Sequence, residues 1–294
     1  MLNRRILRIK VFKTIYSFAE NRSMTVKEAE AQLEESCEST RDLYLFLLAM
    51  VGPLTDEARN RIEAAKAKFN PSEEEKHPNM KFVENGMAPL LADDPDFSKI
   101  IKKKKFSWDQ YDVLLRHIYE SVREKDYFKG YISSPERSLK QDADLWADIY
   151  ANELQDNEEL EAILEESSIF WNDDVDYVLN LCCRTFESLG KGSGWSLPDL
   201  FEKDKPFVVN ILRKAVSNFD RYYQEVALRT PKWDKNRICT ADLCLIVAGQ
   251  AEAEAFPETP KKVIINEYVE ISKFYSTPES KAFVNGLLDK IINQ

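Results

Sequence analysis

The chain has 294 residues, 44% hydrophobic and 31% charged, which is enough apolar material for a substantial core in one large or two small domains. With only 8 glycines and abundant Leu, Glu, Ala and Lys, hairpin turns are scarce, so an all-α fold is expected. The net charge of −10 repels nucleic acid and anionic membranes at long range, so any RNA contact needs a local basic patch, and no run of about 18 apolar residues predicts a membrane span.

The first helix is expected over residues 4–20. Leu7, Val11 and Ile15 form one apolar row and Ile9, Phe12 and Tyr16 another, so most of this helix should be buried. Arg4, Arg5 and Arg8 stand at its start, Lys10 and Lys13 follow, and no acidic residue appears before Glu20. As a bare pattern this is a solvated helix end or a phosphate contact. The positive start Met1-Leu2-Asn3-Arg4-Arg5 lacks the apolar core and cleavage site of a signal peptide, so a cytoplasmic location is expected.

Thr25-Val26-Lys27-Glu28 has the form of a capping box and opens a second helix to about Val51, where Gly52-Pro53 should stop it. A third helix is expected from Thr55 to Phe69, with polar loops at 70–80 and 93–96. Lys102 to Lys105 form a four-lysine run between Ile100-Ile101 and Phe106-Ser107-Trp108. Basic residues beside aromatics serve single-stranded nucleic acid; the plainer reading is a solvated helix end balancing nearby acids.

Helical periodicity resumes over 108–125, 136–156 and 173–189. The acidic groups at Glu158, Glu159, Glu161, Glu165, Glu166 and at Asp173, Asp174, Asp176 have no Glu-x-x-His companion, and the only histidines are His77 and His117, so a solvated acidic face is expected and no metal site. The cysteines Cys37, Cys182, Cys183, Cys239 and Cys244 are odd in number, lack CxxC spacing and read as reduced thiols. Gly190-Lys191-Gly192-Ser193-Gly194 lacks P-loop spacing and reads as a flexible joint. One long helix is expected over 205–229; then Trp233 and Arg237-Ile238 lead to a helix capped by Thr240 and running to about Ala255.

The last stretch is a pair of helices with a sharp corner. Thr259-Pro260 is a start signal, and Ile264, Tyr268, Ile271 and Tyr275 recur at helical spacing. Thr277-Pro278 repeats the signal before Val284, Leu287, Leu288 and Ile291, with Asn285-Gly286 placed for close helix packing. The run I-N-E-Y-V-E-x-x-K-F, a polar corner, then S-x-x-F-V-N-G-x-L-D resembles the C-terminal signature of the NusB family of transcription antitermination factors. The match is close over about the last 50 residues, and the arginine-rich first helix ending in Ile15-Tyr16 is similar too.

The resemblance implies an all-α NusB-like bundle binding boxA-like single-stranded RNA together with NusE, a small-subunit ribosomal protein, within the transcription elongation complex. It implies RNA contact at Arg4, Arg5, Arg8, Lys281 and Phe283, and protein contact at Tyr16 and Asp242; no cofactor is implied. Asp242 also suits the helix dipole at a first turn, and Phe283 also suits a core position. The chain departs from the family pattern at Val247, Gly249-Gln250 and Ala282. Family members are about half this long, so residues 1–40 and 201–294 are read as the NusB-like part. Residues 41–200 are read as a helical insertion or expanded subdomain with its own core around Trp108, Tyr111, Trp146, Tyr150, Phe170 and Trp171. A protein-interaction module without RNA binding is the second reading. An enzyme is the third, and neither a nucleotide-binding βαβ unit nor a nucleophile–base arrangement supports it.

Overall fold

The computed structural model describes residues 2–230 and 238–293, so Trp233 and Arg237 lie outside the described residues. In chain order the helices are α1 (Arg4–Glu20), α2 (Val26–Leu48), α3 (Val51–Lys66), α4 (Glu73–Lys76), α5 (Met87–Ala92), α6 (Pro95–Lys104), α7 (Asp112–Glu124) and α8 (Asp126–Ser133). They continue with α9 (Leu139–Ile149), α10 (Glu158–Ser167), α11 (Val175–Gly190), α12 (Lys205–Ser217), α13 (Phe219–Arg229), α14 (Thr240–Ala255), α15 (Lys261–Tyr275) and α16 (Ser280–Ile292). A π-helical turn, Tyr150–Leu154, extends α9. Among the described residues there is no strand, and no helix is long and apolar enough to cross a membrane.

Several boundaries move, each for a local reason. Gly52-Pro53 does not stop a helix. It lies in the first turn of α3, where a proline loses no intrahelical bond. The long helix expected over 205–229 breaks at Asn218, whose backbone leaves the helical region at φ −117° and ψ 15° while its backbone N–H and side-chain amide both donate to the Lys214 carbonyl, at 3.1 and 3.0 Å. Cys239, not Thr240, is the N-cap of α14, and Pro260 is the N-cap of α15. The capping box at α2 is present: the Glu28 N–H donates to Thr25 Oγ1 at 3.2 Å, and the Thr25 N–H donates to Glu28 Oε2 at 2.7 Å.

The chain forms two units, Met1–Glu38 with Asp199–Gln294, and Ser39–Pro198. In the first unit α14 is the central element, because every residue from Ala241 to Glu252 is buried and α1, α12, α13, α15 and α16 pack against it. A Cβ at Gly249 would lie 2.7 Å from Leu288 Cδ2 and 3.3 Å from the Tyr268 ring, so Gly249 lets α15 and α16 reach the α14 backbone. Gly286, expected at a close helix contact, would meet nothing within 4 Å if it carried a Cβ.

The second unit has a core of its own, rich in aromatics. Phe46 stacks on Trp108 with centroids 4.5 Å apart and on Trp171 at 5.4 Å. The indole N–H groups of Trp108 and Trp171 donate to the carbonyls of Phe46 and Ser39, each at 2.9 Å, and Tyr150 donates to the Leu47 carbonyl at 2.6 Å. Tyr111 and Phe170 are half-buried at the margin.

Gly190 is not a loose joint. It closes α11 against α9, where a Cβ would lie 2.6 Å from Ala143 Cβ and 3.3 Å from Lys140 Cα. Neither neighbour can swing away, so Gly190→Ala should push the two helices apart and cost about 1–3 kcal/mol, measured as a lowered urea midpoint.

Candidate nucleic-acid interface

Helix α1 begins at Arg4 because Asn3 Oδ1 accepts the Ile6 N–H at 2.9 Å. Its first turn holds no acid, so the arginines sit at the positive end of the helix dipole, where cations are disfavoured. The fold sets a carboxylate against each of them. Arg4 pairs with Asp204 at 3.0 Å and lies over the Phe207 ring at 4.0 Å. Arg5 forks onto Glu267, with Nε to Oε2 at 3.1 Å and Nη2 to Oε1 at 2.9 Å. Arg8 forks onto Glu252, with Nε to Oε2 at 2.8 Å and Nη2 to Oε1 at 2.6 Å. Tyr268 adds a hydroxyl donor to the same carboxylate at 2.9 Å.

Burial separates the three arginines. The side chains of Arg4 and Arg5 remain 55% and 48% exposed, whereas that of Arg8 is only 6% exposed. Arg8 was expected to meet RNA; the structure encloses it instead, with its fork filled. Burial works against its charge, but the hydrogen bonds and attraction of Glu252 outweigh that and hold the guanidinium pKa above its usual value. Burial also pushes the Tyr268 hydroxyl well up, so it stays a donor.

Arg5 and Lys281 both act on the charge of Glu270. This carboxyl is held below its ordinary value first by the Lys273 hydrogen bond, with Arg5 and Lys281 adding to the attraction. The first turn of α1 reaches α15 through the Arg5–Glu267 fork, and α16 packs against the same helix. Lys281 is exposed and Phe283 half-buried. Phe274 is 78% exposed and lies one helical turn beyond Glu270 on the same side of α15. It escaped the sequence reading, although its absence from the Ile264, Tyr268, Ile271, Tyr275 stripe was a signal that it faces out. The partners Glu252 and Glu267 were also missed, since nothing local shows which carboxylates meet a helix more than 240 residues away.

The two residues expected at a protein contact are placed differently from each other. Tyr16 is 39% exposed and stands about 16 Å along α1 from Arg5, from the helical rise. Asp242 is buried: its carboxylate accepts the hydroxyls of Ser276 at 2.6 Å and Ser280 at 2.8 Å. It therefore ties down the corner that precedes Lys281 instead of facing outward. Among the described residues no group of three or more His, Cys, Asp or Glu side chains could hold a metal ion.

Glu252→Gln should leave the buried Arg8 without its forked partner, with only the longer contact to Glu267 at 3.6 Å remaining, and cost about 3–5 kcal/mol, seen in urea unfolding. Arg5 holds the Glu267 carboxyl below the ordinary 4.5. A carboxyl depressed in the folded state adds stability that is present above 4.5 and is lost as pH falls through its folded value. Acidification from neutral pH should therefore remove less stability from Arg5→Gln than from the parent, measured as the difference in urea midpoints.

A model of the NusB family matches residues 186–293. The transcription antitermination protein NusB of Methylacidiphilum infernorum (isolate V4) is 34% identical over 98 residues, 33% of this chain and 68% of that protein. The protein of the same name from Myxococcus xanthus (strain DK1622) is 35% identical over 103 residues, 34% of this chain and 74% of the relative. That from Chloroherpeton thalassium is 36% identical over 92 residues, 31% and 44% respectively. No solved structure matches the chain. The aligned share falls on about a third of the present sequence, and on that share the chain belongs to the NusB family.

Proposed function

We propose that this chain is a transcription antitermination factor that binds boxA-like single-stranded RNA jointly with NusE in the elongation complex. The observation that carries the reading is the set of cations along α15, with Arg5 forked onto Glu267, Lys273 bonded to Glu270 at 2.6 Å and exposed Lys281 at the start of α16, which packs on α15, together with the solvent-facing ring of Phe274. Guanidinium and ammonium groups meet phosphate oxygens, and exposed rings stack with unpaired bases. Two helix N-termini close by add their dipoles to the attraction.

In this reading Arg4, Arg5 and Lys281 are the phosphate contacts, with Phe274 and Phe283 the rings. Arg8 and Asp242 act indirectly, one fixing the start of α1 and the other fixing the corner before α16. Recognition is an exchange: a phosphate oxygen must displace Glu267 from the Arg5 fork, so binding by this chain alone is weak. Tyr16, exposed on α1, is the residue we assign to NusE.

A protein-interaction module is the second reading, favoured by the same Arg5–Glu267 fork and the net charge of −10. Salt separates the two. With about three phosphate contacts, log affinity for a boxA-like oligonucleotide should fall against log salt with a slope of about −2. The double variant Arg5→Glu with Lys281→Glu should lose affinity by roughly tenfold or more and flatten the slope. Glu267→Gln, which removes the competing carboxylate, should bind more tightly than the parent. A salt-independent affinity untouched by the double variant leaves the protein-only reading standing.

A further inference from the structure

The lysine run Lys102 to Lys105 lies in the second unit, at the C-terminal end of α6, where Lys102, Lys103 and Lys104 fill the last turn and Lys105 is the C-cap. Asp94 starts this helix by accepting the Phe97 N–H at 2.8 Å, and Pro95 follows at the first helical position. Its other end is held by Lys105, whose φ of 58° places it in the left-handed region, with the Phe106 N–H donating to the Ile101 carbonyl at 3.2 Å. Glycine is the residue that takes this position without strain. Here the position carries a fifth exposed cation after Lys99, Lys102, Lys103 and Lys104.

Lys104 pairs with Asp42 at 2.7 Å, but Lys99, Lys102, Lys103 and Lys105 have no acidic partner among the described residues. A helix C-terminus favours a cation in its last turn. That favour does not account for Lys99, Lys102 and Lys103 standing at i, i+3 and i+4, where like charges repel. The patch is an excess of positive charge on a chain of net charge −10, held on a capped and ordered helix end.

The neighbouring aromatics turn inward toward Phe46. Trp108 is buried against Phe46 with its indole N–H bonded to a carbonyl, and the Phe106 ring sits edge-on to Phe46 at 5.9 Å. The surface therefore presents charge without a ring, which suits a phosphate chain regardless of its bases.

We infer that Lys99, Lys102, Lys103 and Lys105 form a second, sequence-independent contact for the phosphate backbone of single-stranded RNA. The chemistry calls for a polyphosphate; naming it RNA rests on the proposed function of the first unit. The test uses the full chain and polyuridine, which carries no boxA-like sequence. The triple variant Lys102→Glu, Lys103→Glu, Lys105→Glu should bind polyuridine roughly tenfold or more weakly at low salt, and its salt slope should flatten by about 2, as expected for three lost contacts on a single strand. The neutral set Lys102→Gln, Lys103→Gln, Lys105→Gln should fall between, with helical circular dichroism confirming that both variants fold. A short boxA-like oligonucleotide should bind both sets as it binds the parent. Unchanged polyuridine affinity in the triple variant would overturn the inference. Loss of polyuridine binding there, together with no effect of Arg5→Glu and Lys281→Glu on the boxA-like oligonucleotide, would sustain it while removing the α1–α15 assignment.

Discussion

The first unit is organised by the buried ion pair of Arg8 and Glu252. Taking both charges out of water is costly, and the interaction persists because the fork is filled at 2.8 and 2.6 Å and Tyr268 supplies a further donor. Such a pair tolerates no sliding: a shift of α1 by one residue would leave a guanidinium and a carboxylate unmatched inside the protein. It thereby sets the register of α1 against α14 and α15, which carry Glu252, Glu267 and Tyr268. Surface pairs such as Lys273 with Glu270 contribute far less, since water and salt screen them.

That register has a chemical consequence. Once Arg8 is fixed, Arg5 falls within reach of Glu267 and lies near Glu270, so the exposed cations at the start of α1 are held among carboxylates. An acidic protein presenting such a surface avoids indiscriminate attraction to polyanions, because each phosphate must replace an existing partner. The cations remain ordered by their carboxylates before any ligand arrives, which lowers the conformational cost of binding. The lysines of α6 differ in kind: apart from Lys104 they lack acidic partners among the described residues, and they offer charge with no exchange.

How much of this was legible in the chain depends on distance along it. The stripes of α15 and α16, the capping box at Thr25 and Glu28 and the all-helical class are local patterns, each readable from neighbours within a few turns. Asn218 interrupts an expected helix because its own backbone leaves helical values, and propensity summed over a window does not register a departure at one residue. Gly190 and Gly249 have roles set by what lies across from them, and Gly286, the glycine that looked designed for packing, faces open space.

The residues implied for the site divide in the same way. Sequence alone determined that the chain is helical, that its basic residues gather at the start of α1 and in one lysine run, and that its C-terminal helices carry the NusB-like signature, because these are matters of spacing and type. Only tertiary structure decided that Arg8 and Asp242 are enclosed, that Arg5 forks onto Glu267, and that Phe274 stands in solvent. The physical reason is that exposure and charge pairing belong to the contacts between distant segments: Glu252 and Glu267 lie 244 and 262 residues from the arginines they neutralise.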